Sequence, residues 1–382
     1  MSKKILILGA GFGGLEAATL LSERLDDRYE ITMIDQNDSF FIGFSKFELM
    51  FGRKNEQEIK YSYKDLKAEK VNFVKSVINE IDVDNKVVHI PSKSFSYDYL
   101  ILALGADLNH KAIPGFVESG GYEFYSLEGA KKLNPVINAF EGGSVIISIF
   151  SKPYKCPPAP YEGALQLHDF FEQKGIREKV TIKMIIPASM PLPVSKDVSG
   201  QIESLLEERN IELIKSTKIT KIDDTGKKAV AEDGTSFDYD LFIGVPVHTP
   251  PKVIKESKLG EQGFILSSKD NLSTQFEGVY AIGDVAKIPV GKGAVPKAGV
   301  FAEDAARTVV ADILLKEGLE NNPKKFEAKG ACYFEFGGGR VAKINVNFLG
   351  EEKPNAFLEG LSSDLRADKE NFQRTREERW FK

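Results

Sequence analysis

The chain has 382 residues, 42% hydrophobic and 28% charged, with 51 Lys and Arg against 56 Asp and Glu for a net charge of −5. At about 150 residues per domain this is material for two or three packed cores. The apolar content excludes a disordered chain, and the mild acidity excludes a general attraction to nucleic acid or anionic lipid.

The chain opens with two lysines before Ile5 to Leu8, an apolar run too short for a signal-peptide core. No apolar stretch approaches the ~18–20 residues needed to cross a bilayer. The product is therefore expected in the cytoplasm, or attached to a membrane from one side. Ile5 to Leu8 runs at once into Gly9-Ala10-Gly11-Phe12-Gly13-Gly14, then into a helix-forming stretch from Leu15 to Leu25. Ile31 to Ile34 is a second apolar strand, and it ends in Asp35. Strand, glycine turn, helix, strand and acid in that order form the G-x-G-x-x-G fingerprint in the context a dinucleotide site needs. Gly9 permits the tight turn, Gly11 lets the backbone approach a pyrophosphate, and Gly14 lets helix and strand pack closely. The helix N-terminus offers free N–H groups to phosphate oxygens. Asp35, about 20 residues beyond Gly14, is placed to accept hydrogen bonds from a ribose.

Tyr97 to Ala106 is a short strand closing on Leu104-Gly105-Ala106, and Val279 to Ala286 is another that turns at Gly283-Asp284. Both are similar to the secondary signatures of flavoproteins built from two dinucleotide domains. That resemblance implies FAD as the N-terminal cofactor, with Gly105, Gly283 and Asp284 beside it. Ser144 to Phe150 predicts the first strand of an inserted second domain. Ser151 to Glu162 follows it with Pro153, Pro157, Pro158 and Pro160 and no glycine. Proline has no N–H to give a phosphate, and its fixed φ forbids the glycine turn. Nicotinamide binding is not expected there. His89, His110, His168 and His248 show no ligand spacing, and no metal site is predicted.

Cys156 and Cys332 are the two cysteines; they exclude a disulfide framework and a four-thiolate zinc site but leave room for one redox pair. The segment Lys155 to Glu162 stands in order with the glycine fingerprint, Phe242 to Pro251, Gly283-Asp284, Pro296 to Gly299 and Ala331 to Gly337. Together they resemble the sulfide:quinone oxidoreductases and their relatives, the flavoprotein subunits of flavocytochrome c sulfide dehydrogenases. The resemblance spans essentially the whole chain. Its most specific elements are the two cysteine segments, because related NADH-oxidising flavoproteins lack them. It implies that Cys156 and Cys332 lie beside the flavin, that sulfide attacks one sulfur to leave a persulfide, and that the other thiolate passes two electrons to the flavin. Such an attack needs a nucleophilic hydrosulfide and a good leaving thiolate. Positive charge lowers a thiol's pKa, and Lys155 and Lys297 are the expected sources. Glu162 is the matched acid/base candidate, with first-turn helix capping as its competing role. The helix predicted from Gly299 to Leu315 is expected to aim its N-terminus at the flavin.

Many of those relatives carry a third cysteine in the segment matching Glu123 to Glu128, where this chain has Tyr125, and a histidine near Gly129. Another histidine is missing from Pro191 to Ser195. With both cysteines committed to redox chemistry, no thiol remains for a cysteinyl link, so FAD is expected to bind noncovalently. Tyr333, Phe334, Phe336, Phe348 and Phe357 offer a flat apolar wall for a quinone ring, and Phe334, Phe336 and Phe357 are the expected quinone pocket. Two faces of an ordinary strand explain the alternation equally well. Phe357 to Leu365 carries a short apolar helical stripe. Arg366 to Lys382 is basic and ends Arg379-Trp380-Phe381-Lys382, which suits a membrane face, a solvated helix or a dimer contact.

The expected fold is α/β, with two Rossmann-like dinucleotide-binding domains, the second inserted in the first, plus a C-terminal segment. Residues 1–110 and 244–325 are expected to form the FAD-binding domain, 111–243 the inserted domain, and 326–382 a quinone- and membrane-facing unit. The expected activity is FAD-dependent oxidation of sulfide to persulfide or polysulfide sulfur at Cys156 and Cys332, with a quinone as acceptor. Three other readings stay open: a sulfide dehydrogenase delivering electrons to a cytochrome or other protein, a type II NADH dehydrogenase-like enzyme, and a flavin-binding redox sensor without turnover. No nucleic-acid partner is expected, and a homo-oligomer is compatible with the sequence.

Overall fold

The computed structural model describes residues 2–382 apart from 262, 292, 350–354 and 363. Ile5 to Leu8 are buried on both faces of strand β1 (Lys3–Leu8), as the centre of a parallel sheet requires. β1 pairs in parallel with β2 (Tyr29–Asp35), which carries β3 (Val71–Lys75) on its far side, and with β4 (Tyr99–Leu102) on the other. Helix α1 (Phe12–Arg24) is the crossover from β1 to β2 and starts within the glycine turn.

After β4 the chain leaves this sheet and builds a second one. It has β5 (Gly143–Ile149), β6 (Val180–Ile185), β7 (Ile211–Ile214) and β8 (Leu241–Val245), all parallel, in the order β7-β6-β5-β8. Asp107–Asn109 on the way out pairs antiparallel with Val247–Thr249 on the way back. The chain then returns as β9 (Val279–Ala281) beside β4, completing a first sheet ordered β9-β4-β1-β2-β3. The direction of winding reverses between β1 and β4. In an open α/β sheet that reversal opens a crevice outside the carboxyl ends of the strands, where ligands bind.

The C-terminal unit is a three-stranded antiparallel meander of β10 (Lys329–Glu335), β11 (Val341–Asn347) and β12 (Asn355–Ser362), followed by a helix over Asp364–Trp380. The helical stripe expected from Phe357 to Leu365 is therefore a strand up to Ser362; position 363 lies outside the described residues. Pairing of Asn345 with Phe357 and Ile344 with Leu358 places the segment in a ladder, and tertiary pairing outweighs a short helical periodicity.

The tail also differs from its expected role. Trp380 is 1% exposed and packs edge-to-face on Phe12 and Phe40, with ring centroids 5.7 and 5.6 Å apart. Its indole N–H donates to buried Glu16 at 3.0 Å, and Arg379 and Arg307 donate to the same carboxylate at 2.7 and 2.9 Å. Phe381 is buried and stacks on Tyr61 at 5.4 Å. The aromatic tip is a clasp on the first domain rather than a membrane anchor. A buried carboxylate needs such counter-charges, and two basic residues of the tail region supply part of them: Arg379 on Glu16, and Arg376 on Glu303 at 2.9 Å. Among the described residues no helix is long and apolar enough to cross a membrane.

Candidate active site

A cavity of about 310 Å³ opens at the switch point between β1 and β4. Gly11 and Gly13 reach it after β1, Gly105 after β4, and Gly283 and Asp284 after β9. Gly9 and Gly14 shape the turn from behind. Gly9 sits at φ +98°, and a Cβ on Gly14 would lie 1.9 Å from the Gly9 carbonyl oxygen. Asp35 holds the same turn: its carboxylate accepts from the Ala10 N–H at 2.7 Å and from Asn37 at 2.8 and 3.0 Å, outside the cavity lining. Helix α1 and the helix over Gly299–Lys316 both begin at the cavity, and neither Gly11 nor Ala298 supplies a side-chain cap. Their first-turn N–H groups are left for the oxygen atoms of a ligand. This donor set, with backbone approachable at Gly11 and Gly105, where an added Cβ would meet nothing within 4 Å, fits a flavin dinucleotide.

Cys156 and Cys332 line the same cavity from two different units. Cys332 lies on β10. Cys156 lies in the proline-rich loop after β5, drawn to the first domain by its own N–H, which donates to the Lys297 carbonyl at 2.8 Å. That pull holds Cys156 at φ +48°, a left-handed conformation uncommon for a non-glycine residue. Burial raises the Cys156 thiol well above its ordinary pKa, with Cys332 and Glu162 adding to the rise and Lys46 opposing it. Burial and then Glu162 push the Cys332 thiol up to about 11. The amine of Lys297 donates to the Asp284 and Ala286 carbonyls and lies 3.5 Å from the centre of the Phe264 ring. Burial lowers its pKa to about 8.

Glu162 sits in the first turn of the helix over Ala159–Gln173, where the preceding prolines set the entry. It is 2% exposed, lines the cavity, and accepts hydrogen bonds from Gln166 and from the Glu335 N–H, both at 3.2 Å. Lys369, from the C-terminal helix, lies 3.6 Å from Glu162 and 2.6 Å from Glu335, and all three are buried. Burial raises the Glu162 carboxyl to about 7; Lys369 opposes the rise and Glu335 adds to it. Lys369 sits in a charged stretch that reads as solvated, and Glu335 stands between Phe334 and Phe336 in the second cysteine segment with no role implied for it.

The expected quinone pocket is not assembled. Phe334 and Phe336 are buried in the core of the second unit, edge-to-face with centroids 4.5 Å apart, and Phe357 is 57% exposed on the molecular surface. Phe334 and Phe336 lie further along the chain than the stretch of β10 that reaches the cavity, and Tyr333 is the aromatic residue of that strand that lines it. Its aromatic partners in the lining are Phe41, Phe44 and Phe372, which the sequence analysis missed. The run Phe40-Phe41-Ile42-Gly43-Phe44 was the available signal.

A family profile described as pyridine nucleotide-disulphide oxidoreductase matches residues 3–306. The chain belongs to this family. As a pyridine nucleotide-disulphide oxidoreductase it is a flavin-dependent oxidoreductase, and its curated relatives include enzymes of two groups. The mitochondrial sulfide:quinone oxidoreductase of Dictyostelium discoideum is 26% identical over 76% of this chain and 67% of its own length. The type II NADH:quinone oxidoreductase of Staphylococcus aureus is 27% identical over 76% of each chain. Among solved structures, the sulfide:quinone oxidoreductase of Aquifex aeolicus superposes with a TM-score of 0.86 at 21% identity, covering 98% of this chain and 90% of that one. The family's description joins a pyridine nucleotide to a disulphide, and this member's second sheet has a filled crevice. A Cβ on Gly244 of β8 would meet Phe116 at 2.6 Å and Phe150 at 2.7 Å. The loop that follows β5 is turned away, bound to Lys297 of the first domain.

Proposed function

We propose that the protein oxidises sulfide at Cys156 and Cys332 and delivers the electron pair to a quinone. The observation that carries this reading is that two thiols from different units line the cavity that also holds the glycine turn and Lys297. Hydrosulfide attacks a Cys156–Cys332 bridge; a new S–S bond forms to one cysteine as the bridge breaks, and the other cysteine leaves as a thiolate. A second hydrosulfide takes the outer sulfur away as hydrodisulfide and leaves that cysteine as a thiolate; FAD, when bound, would supply the two-electron acceptor that lets the two thiolates re-form the bridge. Glu162, whose carboxyl burial raises to about 7, is poised to accept the hydrosulfide proton. Gly9, Gly11, Gly14, Gly105, Gly283 and Asp284 hold the cofactor without a covalent link. Lys297 places positive charge beside it.

The quinone acceptor is supported by both groups of relatives, whose names share it. Phe41, Phe44, Tyr333 and Phe372 give the cavity an aromatic wall suited to a flat ring. A second reading, NADH oxidation, is favoured by the 27% identity to the type II enzymes, but the filled crevice at Gly244 and the prolines after β5 leave a nicotinamide dinucleotide no cradle.

The test is flavin absorbance under anaerobic conditions. Sulfide is expected to bleach the flavin, a short-chain quinone to restore it, and NADH to leave it oxidised. Rapid bleaching by NADH with none by sulfide would transfer the protein to the second reading. Reoxidation by cytochrome c but by no quinone would make a protein the acceptor. A flavin that neither donor bleaches would mark a redox sensor without turnover.

A further inference from the structure

Lys46 is a cation that the sequence analysis passed over. It lies on the short helix Ser45–Met50 and lines the cavity. Its amine donates to the Tyr125 carbonyl at 2.5 Å and lies 5.8 and 5.9 Å from the centres of the Phe41 and Tyr125 rings. Among the described residues it makes no ion pair. An ammonium held against two rings and one carbonyl at a cavity wall, half-buried, has given up part of its hydration without gaining a carboxylate.

The groups around it come from every neighbouring element. Lys155 and Cys156 come from the proline-rich loop, Glu123 from the segment before Tyr125, Asp284 from the turn after β9, and His248 from the returning strand. Cys332, Glu162 and Lys297 share the lining. Of the cationic groups, Lys297 is engaged with two carbonyls and a ring, whereas Lys46 is the one that pulls the Cys156 thiol pKa down. Glu162 and Cys332 push that thiol the other way.

We infer that Lys46 is the counter-ion of an anionic sulfur on Cys156, the thiolate or its persulfide, beside the cations expected there, Lys155 and Lys297. Lys46 is thus a positioning residue that acts through Cys156. The inference rests on the thiol pair being the reactive site proposed above, and it does not require sulfide to be the substrate. Burial brings the Lys46 pKa down to about 8, so the pair has a distinctive titration. Below about pH 8 the amine is charged, and the thiolate fraction climbs about tenfold per pH unit. Over the next pH unit the charged pair and the neutral pair hold the same number of protons and the fraction levels off; higher still, the thiolate beside a neutral amine takes over and the climb resumes.

The experiment uses the flavin-loaded protein with Cys332→Ser, so that Cys156 is the only thiol, and follows its reaction with methyl methanethiosulfonate from pH 6 to 10. The parent rate is expected to climb, flatten between about pH 8 and 9, and then climb again to meet Lys46→Met. Lys46→Met is expected to start about tenfold lower at pH 7, equivalent to one pKa unit, and to climb without a plateau. Lys46→Arg, whose charge persists, is expected to match the parent at pH 7 and also to climb without a plateau. A parent without a plateau, or a Lys46→Met profile superimposable on it, overturns the inference. Sulfide bleaching is then measured on the Lys46 variants with both cysteines present. Shifted thiol profiles together with a parent flavin that sulfide leaves oxidised would sink the proposed function and leave the role of Lys46 standing.

Discussion

Replacing Glu162 with Gln removes a carboxyl that the fold penalises for ionising. In the unfolded chain this group loses its proton near 4.5, and in the folded protein near 7. Between those values the native state binds one proton more than the unfolded state, so native stability falls as pH rises through the window. At about 1.4 kcal/mol per pKa unit the loss is about 3 kcal/mol, present in full above pH 7 and absent below 4.5. Glutamine has nearly the same shape and can still accept from the Gln166 amide and the Glu335 N–H, while Lys369 keeps Glu335 at 2.6 Å. Urea unfolding of parent and Glu162→Gln, both with flavin bound, should show the variant gaining about 3 kcal/mol on the parent between pH 4.5 and 8. A gap between the two that is the same at both ends of that range would refute the reasoning, because it would mean that Glu162 titrates alike in folded and unfolded chains. The variant should also reduce its flavin with sulfide on the order of 10²-fold more slowly if the carboxylate is the proton acceptor.

Three further outcomes are expected. Cys156→Ser and Cys332→Ser should each bring sulfide-driven bleaching to the background rate while dithionite still reduces the flavin, since each change removes one partner of the exchange. Gly14→Ala puts a methyl group 1.9 Å from the Gly9 carbonyl oxygen, and flavin should be lost on gel filtration of that variant but retained by a Gly200→Ala control on an exposed helix position where an added Cβ meets nothing within 4 Å. Trp380→Ala should cost about 3–5 kcal/mol in stability and leave binding to lipid vesicles unchanged, as measured by flotation; a loss of vesicle binding would return the tail to a membrane role.

The parts of the fold legible from sequence were those written locally. The apolar run of β1, the glycine turn and the acid at the end of β2 are neighbours in sequence as well as in space, and the helix expected from Gly299 to Leu315 spans Gly299–Lys316. Cys156 was legible because its loop breaks the pattern a phosphate-binding turn needs. What escaped notice depends on contacts between distant segments. Lys369 is an ordinary residue of a charged helix until Glu162 and Glu335 are brought to it from more than 30 positions away. Trp380 looked like an anchor because nothing in the tail records that Glu16 waits for its indole. Phe357 looked like a pocket wall because alternation along a strand tells two faces apart without saying which faces the cavity.

The two thiols arrive by different routes, one on a loop of the inserted unit and the other on the first strand of the C-terminal meander. Cys156 and the glycines of the cradle all precede Cys332 in the chain, so the pair is complete only once β10 is in place. If the two thiols exchange sulfur as proposed, the exchange waits until the C-terminal unit, about the last seventh of the chain, has docked.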